Sequence, residues 1–300
     1  MRLRADPAIA AALLLLLAAV WTPPLTLQRP VFSYMVTFDI TQSMNVEDVE
    51  HAGAMVSRLA LARVAMHDTL RRLPCGSLIG WSVFADYRAL PLTLPVEVCS
   101  HYAELLASLD MIDGRMRWAN ASNIGKAVAW TVRSAKSIGS GVSVVFITDG
   151  QEAPPLRDDG PPPMSGITPG EVGGWLIGVG GTLPARIPKT DRDGNPAGFW
   201  EAGDVVQRDD AASHEHLSEL REEHLQSLAR LMGFGYRRLM QADALATALL
   251  DSRLARSAPV QTDVRWVSAL LALLLLVWRF RPRGAPASAR SSRGSGPLRA

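Results

Sequence analysis

The chain has 300 residues, with 31 Lys and Arg against 29 Asp and Glu, and therefore a formal net charge of +2. The overall charge is close to balanced, and we expect no nucleic-acid partner, because membrane topology explains the basic residues of the tail 281–300 better. The length would allow two domains, but the composition of both ends is not that of a globular domain. We therefore expect one α/β domain of ordinary size, over about residues 30–255.

The first element in chain order is an apolar segment near the amino terminus. No charged residue occurs between Pro7 and Gln28, and two arginines precede this stretch. Its length approaches the roughly 20 residues that a helix needs to span a bilayer. A cleaved signal peptide is the alternative, although no small-x-small cleavage site precedes Trp21. We expect residues 1–29 to be a retained membrane anchor.

A polar loop follows the first strand of the predicted domain. The apolar run 31–36 is typical of a buried strand, so Asp39, Thr41 and Ser43 would lie on the loop at its carboxyl end. One carboxylate and two hydroxyls would then point into the same crevice. Taken alone, this spacing also occurs in turns and at helix caps, which is the alternative interpretation.

Two cysteines flank a predicted hairpin. Residues 78–84 and 89–94 have the pattern of two strands joined by a tight connection, which indicates antiparallel pairing. Continuing this pairing outward places Cys75 opposite about position 98, within bridging reach of Cys99. A disulfide fits an oxidising compartment. Two buried free thiols are the alternative.

The rest of the domain alternates helices and strands as a doubly wound, mostly parallel sheet does, with the hairpin adding one antiparallel edge strand. Two further polar loops occur in this pattern: Ser122 lies where a helix begins, and Asp149 follows a strand. Ligands of such sheets bind at the carboxyl ends of the strands, where all three loops would meet. The pattern predicts helices at 55–72, 100–109, 123–136, 214–232 and 242–254, and strands at 142–148, 174–179 and 235–239.

The three loops together offer oxygen ligands with neither His nor Cys among them. Such a set suits a hard divalent cation such as Mg²⁺, with Mn²⁺ or Ca²⁺ as alternatives, and leaves a position for an outside ligand. The candidate metal ligands are Asp39, Thr41, Ser43, Ser122 and Asp149.

This arrangement resembles the metal-ion-dependent adhesion site of the von Willebrand factor A (vWA) domain. That site has the pattern Asp-x-Ser-x-Ser, then a Thr in a second loop and an Asp after a third strand. Thr41 stands where Ser is commoner and Ser122 where Thr is commoner, and both retain the ligating hydroxyl. The resemblance implies a Rossmann-like α/β fold and a metal that contacts a protein partner.

Two long segments interrupt the alternation of elements. Residues 152–173 are rich in Pro and Gly, and residues 181–212 contain scattered Pro and charges without a usable period. We predict that both are long loops around the metal face or its flank, with plain disordered segments as the alternative. The run 191–195 is similar to the start of a calcium loop but lacks its terminal Glu, so we interpret it as a polar turn.

The carboxyl-terminal part of the chain contains a second apolar segment, residues 264–280, with Trp266 and Trp278 at its margins. We predict that it also spans a membrane, and that residues 281–300 form a basic, disordered tail. Positive charge at both ends places both termini in the cytoplasm. In a bacterium the chain would then be an inner-membrane protein whose domain faces the periplasm.

Four segments of the domain resemble the MxaL-type membrane proteins found with bacterial methanol oxidation genes. This likeness covers about residues 30–250. It implies a module that helps to assemble or metallate a quinoprotein methanol dehydrogenase, together with a MoxR-type ATPase and other vWA proteins. The segments are 39–45, 71–77, 95–99 and 146–155.

We therefore expect a binding module rather than an enzyme, in which a carboxylate of a protein partner completes the shell of the metal. A metal-dependent phosphohydrolase is one alternative. It is disfavoured because haloacid-dehalogenase sites need a second Asp two residues after the first, where this chain has Thr41. The other alternative is a structural subunit of a membrane complex whose metal only stabilises the fold.

Overall fold

A computed structural model of the chain describes residues 6–156, 165–191, 193–207 and 214–281. Two compact units are present, one of residues 28–260 and one made of the two ends of the chain. The helices of the described residues are α1 Pro7–Trp21, α2 Arg58–Arg72, α3 Tyr102–Asp110, α4 Ile124–Ile138, α5 Glu222–Met232, α6 Asp243–Leu249 and α7 Arg265–Phe280. The strands are β1 Leu25–Val31, β2 Ser33–Asp39, β3 Val49–His51, β4 Ala54–Val56, β5 Leu78–Ala85, β6 Arg88–Pro91, β7 Val96–Glu97, β8 Ser143–Thr148, β9 Gly174–Gly178, β10 Ala185–Arg186, β11 Pro188–Thr190, β12 Pro196–Phe199, β13 Leu217–Ser218, β14 Gly235–Arg238 and β15 Arg256–Thr262.

The larger unit is built on a central sheet with the strand order β14-β9-β8-β2-β5-β6. Strands β14, β9, β8, β2 and β5 run parallel. Strand β6 pairs antiparallel with β5 at the edge, and the short β7 also pairs antiparallel with β5. The predicted α/β fold, with a mostly parallel sheet and an antiparallel edge, is therefore confirmed.

Side chains of the parallel strands alternate between two separate hydrophobic cores. In β8, Val145 packs in one core with Leu59 of α2, whereas Phe146 packs in the other with Val128 of α4. Helices α3 and α6 contribute to the first core, and α5 contributes to the second. Because both faces of the sheet are covered, its strands are continuous apolar runs, which is why they could be predicted from the sequence.

The order of the strands reverses between β2 and β8. The chain first places β5 and β6 on one side of β2, and then places β8, β9 and β14 on the other. Asp39 is the last residue of β2, and Asp149 follows the last residue of β8. Both carboxylates thus lie at the carboxyl ends of the strands at the topological switch point, where ligands of such sheets bind.

The predicted disulfide between Cys75 and Cys99 is confirmed, with their Cα atoms 5.3 Å apart. It forms because β5 and β7 pair in antiparallel register, with Leu78 opposite Glu97. The Glu97 carboxylate accepts hydrogen bonds from the backbone N–H groups of the residues that follow the two cysteines, at 2.6 Å each. The disulfide and the two hydrogen bonds of Glu97 therefore stabilise the same part of the edge of the sheet.

Two predictions about the second half of the chain are wrong. The segment 181–212, predicted as a loop without secondary structure, contains β10, β11 and β12, which form small antiparallel pairs. The helix predicted to begin at residue 214 begins at Glu222, because Leu217 and Ser218 form β13 and pair with β10. Strands of two to four residues are too short to show a period. Residues 157–164 and 208–213 of the two predicted loops lie outside the described residues.

The smaller unit contains α1 and α7, which pack against each other. Arg279 donates a 2.6 Å hydrogen bond to Asp6, the N-cap residue of α1. The prediction of a transmembrane helix at each end is not borne out: these helices have 15 and 16 residues, and none of the described helices is long and apolar enough to cross a membrane. At about 1.5 Å per residue such helices fall short of the ~30 Å of a bilayer core. Most of the predicted basic tail, residues 282–300, lies outside the described residues.

Candidate metal centre

The first loop of the candidate site is organised around Asp39, whose side chain is wholly buried. Its Oδ1 atom accepts hydrogen bonds from the backbone N–H (2.9 Å) and the hydroxyl (2.6 Å) of Thr41. Its Oδ2 atom accepts a 2.7 Å hydrogen bond from the hydroxyl of Thr148, the last residue of β8. The Ser43 hydroxyl lies 3.2 Å from that of Thr41. Asp39 thus ties the ends of β2 and β8 together and fixes the two hydroxyls beside it.

The third loop holds Asp149, which is also wholly buried. Its Oδ1 atom accepts the backbone N–H of Gln151 at 2.9 Å. Between them Gly150 has a φ of +83°, a conformation that glycine adopts readily, and this closes the turn. The Oδ2 atom of Asp149 accepts hydrogen bonds from Arg58 at 2.6 Å and from the Ser218 hydroxyl at 3.2 Å. Both carboxylate oxygens of Asp149 are therefore fixed by hydrogen bonds.

Arg58, at the start of α2, is the buried cation of this site. Its guanidinium donates to both oxygens of Asp48, at 3.0 and 2.6 Å, as well as to Asp149. It also donates to the hydroxyl and the backbone carbonyl of Ser218 in β13. Burial opposes the charged guanidinium, but the two carboxylates outweigh burial and raise the pKa of Arg58. One charge thus links α2, the third loop and β13.

Ser122 reaches the same edge of the sheet from the loop before α4. Its backbone exchanges hydrogen bonds of 2.7 and 2.9 Å with Ala153 in the loop after β8. The residue is 3% exposed, and its Oγ atom has no hydrogen-bond partner among the described residues. The hydroxyls of Ser33 and Thr37 also lack a partner among the described residues, so it is the position of Ser122 in one cavity with Thr41 and Ser43 that makes it a candidate ligand.

Helix capping does not explain the candidate hydroxyls. The side chain that caps α4 is Asn123, which accepts the N–H of Lys126 at 3.0 Å, and not its neighbour Ser122. In the first loop, Thr41 precedes the short 3₁₀ helix Gln42–Asn45 without making a side-chain capping bond. The alternative interpretation of these residues as simple caps is therefore not what the structure shows.

Three of the candidate ligands share one location. Thr41, Ser43 and Ser122 line a single cavity of about 290 Å³ whose walls are mostly apolar. Asp39 accepts hydrogen bonds from Thr41, and it interacts electrostatically with Asp149. Burial first, and the charge of Asp149 second, raise the pKa of Asp39 to about 7. The three hydroxyl residues therefore line the cavity, whereas Asp39 and Asp149 lie at the switch point of the sheet, wholly buried and outside the lining of the cavity.

This donor set fits a hard divalent cation. It consists of carboxylate and hydroxyl oxygens, the ligands that Mg²⁺ prefers, and it includes one buried hydroxyl that lacks a partner. A cation near Asp39 would also offset the repulsion between Asp39 and Asp149, because the buried Arg58 pairs with Asp149 and Asp48 and has no bond to Asp39 among the described contacts. Elsewhere in the described residues, the group Cys75, Glu97 and Cys99 contains the disulfide, so its sulfurs are already bonded to each other.

Sequence reasoning missed three residues of this site. Arg58 and Thr148 hold the two carboxylates in place, and Gln42 joins the first loop to the segment 181–207. The only signal in the sequence for Arg58 is a basic residue on the otherwise apolar face of the predicted helix 55–72. Thr148 could have been noticed as a polar residue at the end of an apolar strand.

Comparison with known proteins gives matches among solved structures alone, since no family model and no curated protein matches the sequence. The chain is similar to BatB from Bacteroides thetaiotaomicron, with 21% identity, a TM-score of 0.49, and coverage of 74% of this chain and 96% of that one. It is similar to an aerotolerance-related membrane protein from Bacteroides fragilis, with 21% identity, a TM-score of 0.48, and coverage of 73% and 96%. A von Willebrand factor type A protein from Catenulispora acidiphila matches with 11% identity, a TM-score of 0.42, and coverage of 80% and 42%. The doubly wound α/β fold itself rests on the strand order described above.

Proposed function

We propose that this chain is a vWA-type binding module that recognises a protein partner through a divalent cation, Mg²⁺ in the first place. The observation that carries the proposal is the buried, unpartnered hydroxyl of Ser122, which lines the same cavity as Thr41 and Ser43. Asp39 and Asp149 would supply the negative charge that holds the ion. An Asp or Glu of the partner would complete the shell, since Mg²⁺ keeps positions for outside ligands.

The surroundings of the site support binding rather than catalysis. Both oxygens of Asp39 accept hydrogen bonds, and Asp149 is paired with Arg58, so both carboxylates are fixed in position, as the ligands of an ion should be. Among the described residues that line the cavity there is no His, Lys or Cys. His is the side chain most often used in general acid–base catalysis, and Cys and Lys serve as nucleophiles, so a lining without them favours binding.

We further propose that the module works in the periplasm. The disulfide between Cys75 and Cys99 supports this location, because such bridges persist in oxidising compartments. The resemblance to MxaL-type proteins supports a role in the assembly or metallation of a quinoprotein methanol dehydrogenase. The partners proposed on that basis are the dehydrogenase itself, a MoxR-type ATPase and other vWA proteins.

Calorimetric titration of the EDTA-treated full chain with MgCl₂ tests the proposed metal site. We expect one binding event, which Asp39→Ala abolishes while the far-ultraviolet circular dichroism is unchanged. Asp191→Ala is the matched control, because this carboxylate only closes its own turn by accepting N–H groups of Asp193 and Asn195. Undiminished affinity in Asp39→Ala would remove Asp39 from the site, and lost affinity in Asp191→Ala would move the ion to that turn.

Recovery of the partner tests the function of the site. The partner should be retained by the wild-type chain in Mg²⁺ and released by chelator, and Asp149→Ala should lose it. A complex that survives both changes would show that the metal has only a structural role. Hydrolysis of a generic phosphate ester in Mg²⁺ or Mn²⁺ would instead support the phosphohydrolase.

A further inference from the structure

Gln42, which lies between the candidate ligands Thr41 and Ser43, holds a second segment of the chain against the first loop of the metal centre, hereafter the metal loop. Gln42, which is 5% exposed, accepts hydrogen bonds on Oε1 from the indole N–H of Trp200 (2.8 Å) and the backbone N–H of Thr190 (3.1 Å). Its Nε2 atom donates to Asn120 at 3.0 Å, in the loop that leads to Ser122. The segment 181–207, hereafter the insert, is therefore fixed relative to the candidate ligands.

The insert supplies an apolar wall to the cavity beside the metal centre. This cavity of about 290 Å³ is lined in part by the hydroxyl-bearing residues of the first and second loops. Its surface is mostly apolar, and the insert contributes the apolar residues Ile187, Trp200, Val205 and Val206 together with Asp204. Val206 is 58% exposed, so a ligand that filled the cavity would cover apolar surface that now faces water.

Acidic residues also line the cavity, but each of them already has a polar or cationic partner. Glu152 lies 3.1 Å from His224, and Asp204 lies 3.1 Å from Lys189. Glu215 accepts a 3.3 Å hydrogen bond from Gln151. These three acidic residues therefore already interact within the protein. We expect a ligand to contact mainly the apolar residues of the cavity.

We propose that this cavity binds a bulky apolar side chain adjacent to the carboxylate that completes the metal shell. The proposal rests on the metal-mediated binding described above, and it defines the partner as a segment in which Asp or Glu is flanked by a residue such as Leu. The ion would fix the carboxylate, and burial of the flanking side chain would supply affinity and specificity. A cavity of about this size, whose surface is mostly apolar but whose lining includes several polar side chains, is typical of a ligand site.

Three peptides separate the contribution of the cavity from that of the ion. The probes are acetylated, amidated pentapeptides with the central sequences Leu-Asp-Leu, Ala-Asp-Ala and Leu-Asn-Leu, each flanked by Gly and titrated into the full chain with MgCl₂ or with EDTA. We expect Leu-Asp-Leu to bind about tenfold more tightly than Ala-Asp-Ala, the ratio expected when one Leu side chain is buried. Leu-Asn-Leu should bind weakly, and EDTA should remove the binding of both Asp peptides.

Two variants of the insert locate the effect. Val206→Asn removes apolar surface from the cavity without adding a charge near the ion, and it should abolish the advantage of Leu-Asp-Leu over Ala-Asp-Ala. Phe199→Asn is the control, because Phe199 lies on the same insert but does not line the cavity. An advantage that is absent in the wild type, or that survives in Val206→Asn, would overturn the proposal and leave the metal site intact. Binding that needs neither Mg²⁺ nor the Asp of the peptide would refute the metal-mediated function and the cavity proposal with it.

Discussion

Arg58 and Asp149 form a wholly buried ion pair, with Nη1 of the arginine 2.6 Å from Oδ2 of the aspartate. The same guanidinium pairs with Asp48, so a single cation serves two carboxylates. Because Asp149 is anchored in this way, its position in the candidate metal centre is set before any ion binds. Preorganisation of this kind lowers the cost of ordering the site when a ligand arrives.

Removing the buried cation should destabilise the fold. Arg58→Gln would leave two carboxylates without their partner, and we expect the free energy of unfolding to fall by about 3–5 kcal/mol. The midpoint and slope of urea unfolding would measure this loss. Arg71→Gln on the same helix is the matched control, since its side chain is exposed and 3.9 Å from Asp68, a geometry that contributes at most about 1 kcal/mol.

A second substitution tests whether a positive charge at position 58 is sufficient to stabilise the fold. Arg58→Lys keeps the charge but cannot donate a fork of hydrogen bonds to Asp48 and to Asp149 at once. We expect it to recover only part of the lost stability. A chain as stable as the wild type would show that the fixed geometry of the guanidinium is not needed here.

The sequence predicted the strands of the central sheet better than the residues that hold the site together. Strands such as β8 and β9 are buried on both faces, so each is a continuous apolar run that stands out in the sequence. Asp39 and Asp149 could be found because they follow such runs directly. Arg58 could not, because an arginine in a helix is usually exposed, and its burial depends on carboxylates from other parts of the chain.

The wrong helix prediction at residues 214–221 has a related cause. Leu217 and Leu220 continue the apolar spacing of α5 toward the amino terminus, so the sequence alone favours a longer helix. In the structure the carbonyl of Ser218 accepts a hydrogen bond from Arg58, and the residue pairs with Ala185 of the insert. Long-range partners therefore decided the local structure, and they are not visible in a short sequence window.

The stability of the metal-free protein should depend on the ionisation of Asp39. Burial raises its pKa from the ordinary value of 3.8 to about 7. Between these values the folded chain holds a proton that the unfolded chain has released, so the free energy of unfolding should fall as the pH rises from about 4 to about 7. The slope due to this group cannot exceed about 1.4 kcal/mol per pH unit. Urea unfolding in EDTA at pH 5, 6 and 7 would measure it.

Asp39→Asn isolates this contribution, because the amide does not ionise over this range. The variant should lose the part of the pH dependence that the wild type shows between pH 5 and 7. An identical pH dependence in both proteins would mean that Asp39 is already ionised at pH 5 in the folded chain.

Reduction of the Cys75–Cys99 bridge should lower stability without changing the sheet. The bridge closes a loop with a sequence separation of 24 residues, and loops of this length contribute about 3 kcal/mol by restricting the unfolded chain. Urea unfolding with and without dithiothreitol would measure the change, and peptide mass mapping would show the bridge directly. Cys75→Ser/Cys99→Ser should unfold at the same urea concentration with and without the reductant.

Ser122 gives a prediction in which stability and metal affinity change in opposite directions. Its buried hydroxyl lacks a partner, so Ser122→Ala should leave the stability of the EDTA-treated protein equal or raise it by about 1 kcal/mol. The same variant should bind Mg²⁺ at least about tenfold more weakly, because a ligand is lost. Ser122→Thr retains the hydroxyl and should bind as the wild type does. Calorimetry and urea unfolding of the three proteins would check both effects, and unchanged affinity in Ser122→Ala would remove this residue from the site.

Gln42→Ala should release the insert from the metal loop without removing a metal ligand. The substitution deletes the hydrogen bonds to Trp200 and Thr190, each of which contributes about 1 kcal/mol. Proteolysis within residues 181–207 should therefore become about tenfold faster or more, while the affinity for Mg²⁺ stays within about twofold of the wild type. Arg186→Ala is the control within the insert, since Arg186 pairs with Glu201 of the same insert. If the insert of Gln42→Ala resists protease as well as that of the wild type, it is held in place by packing and not by Gln42.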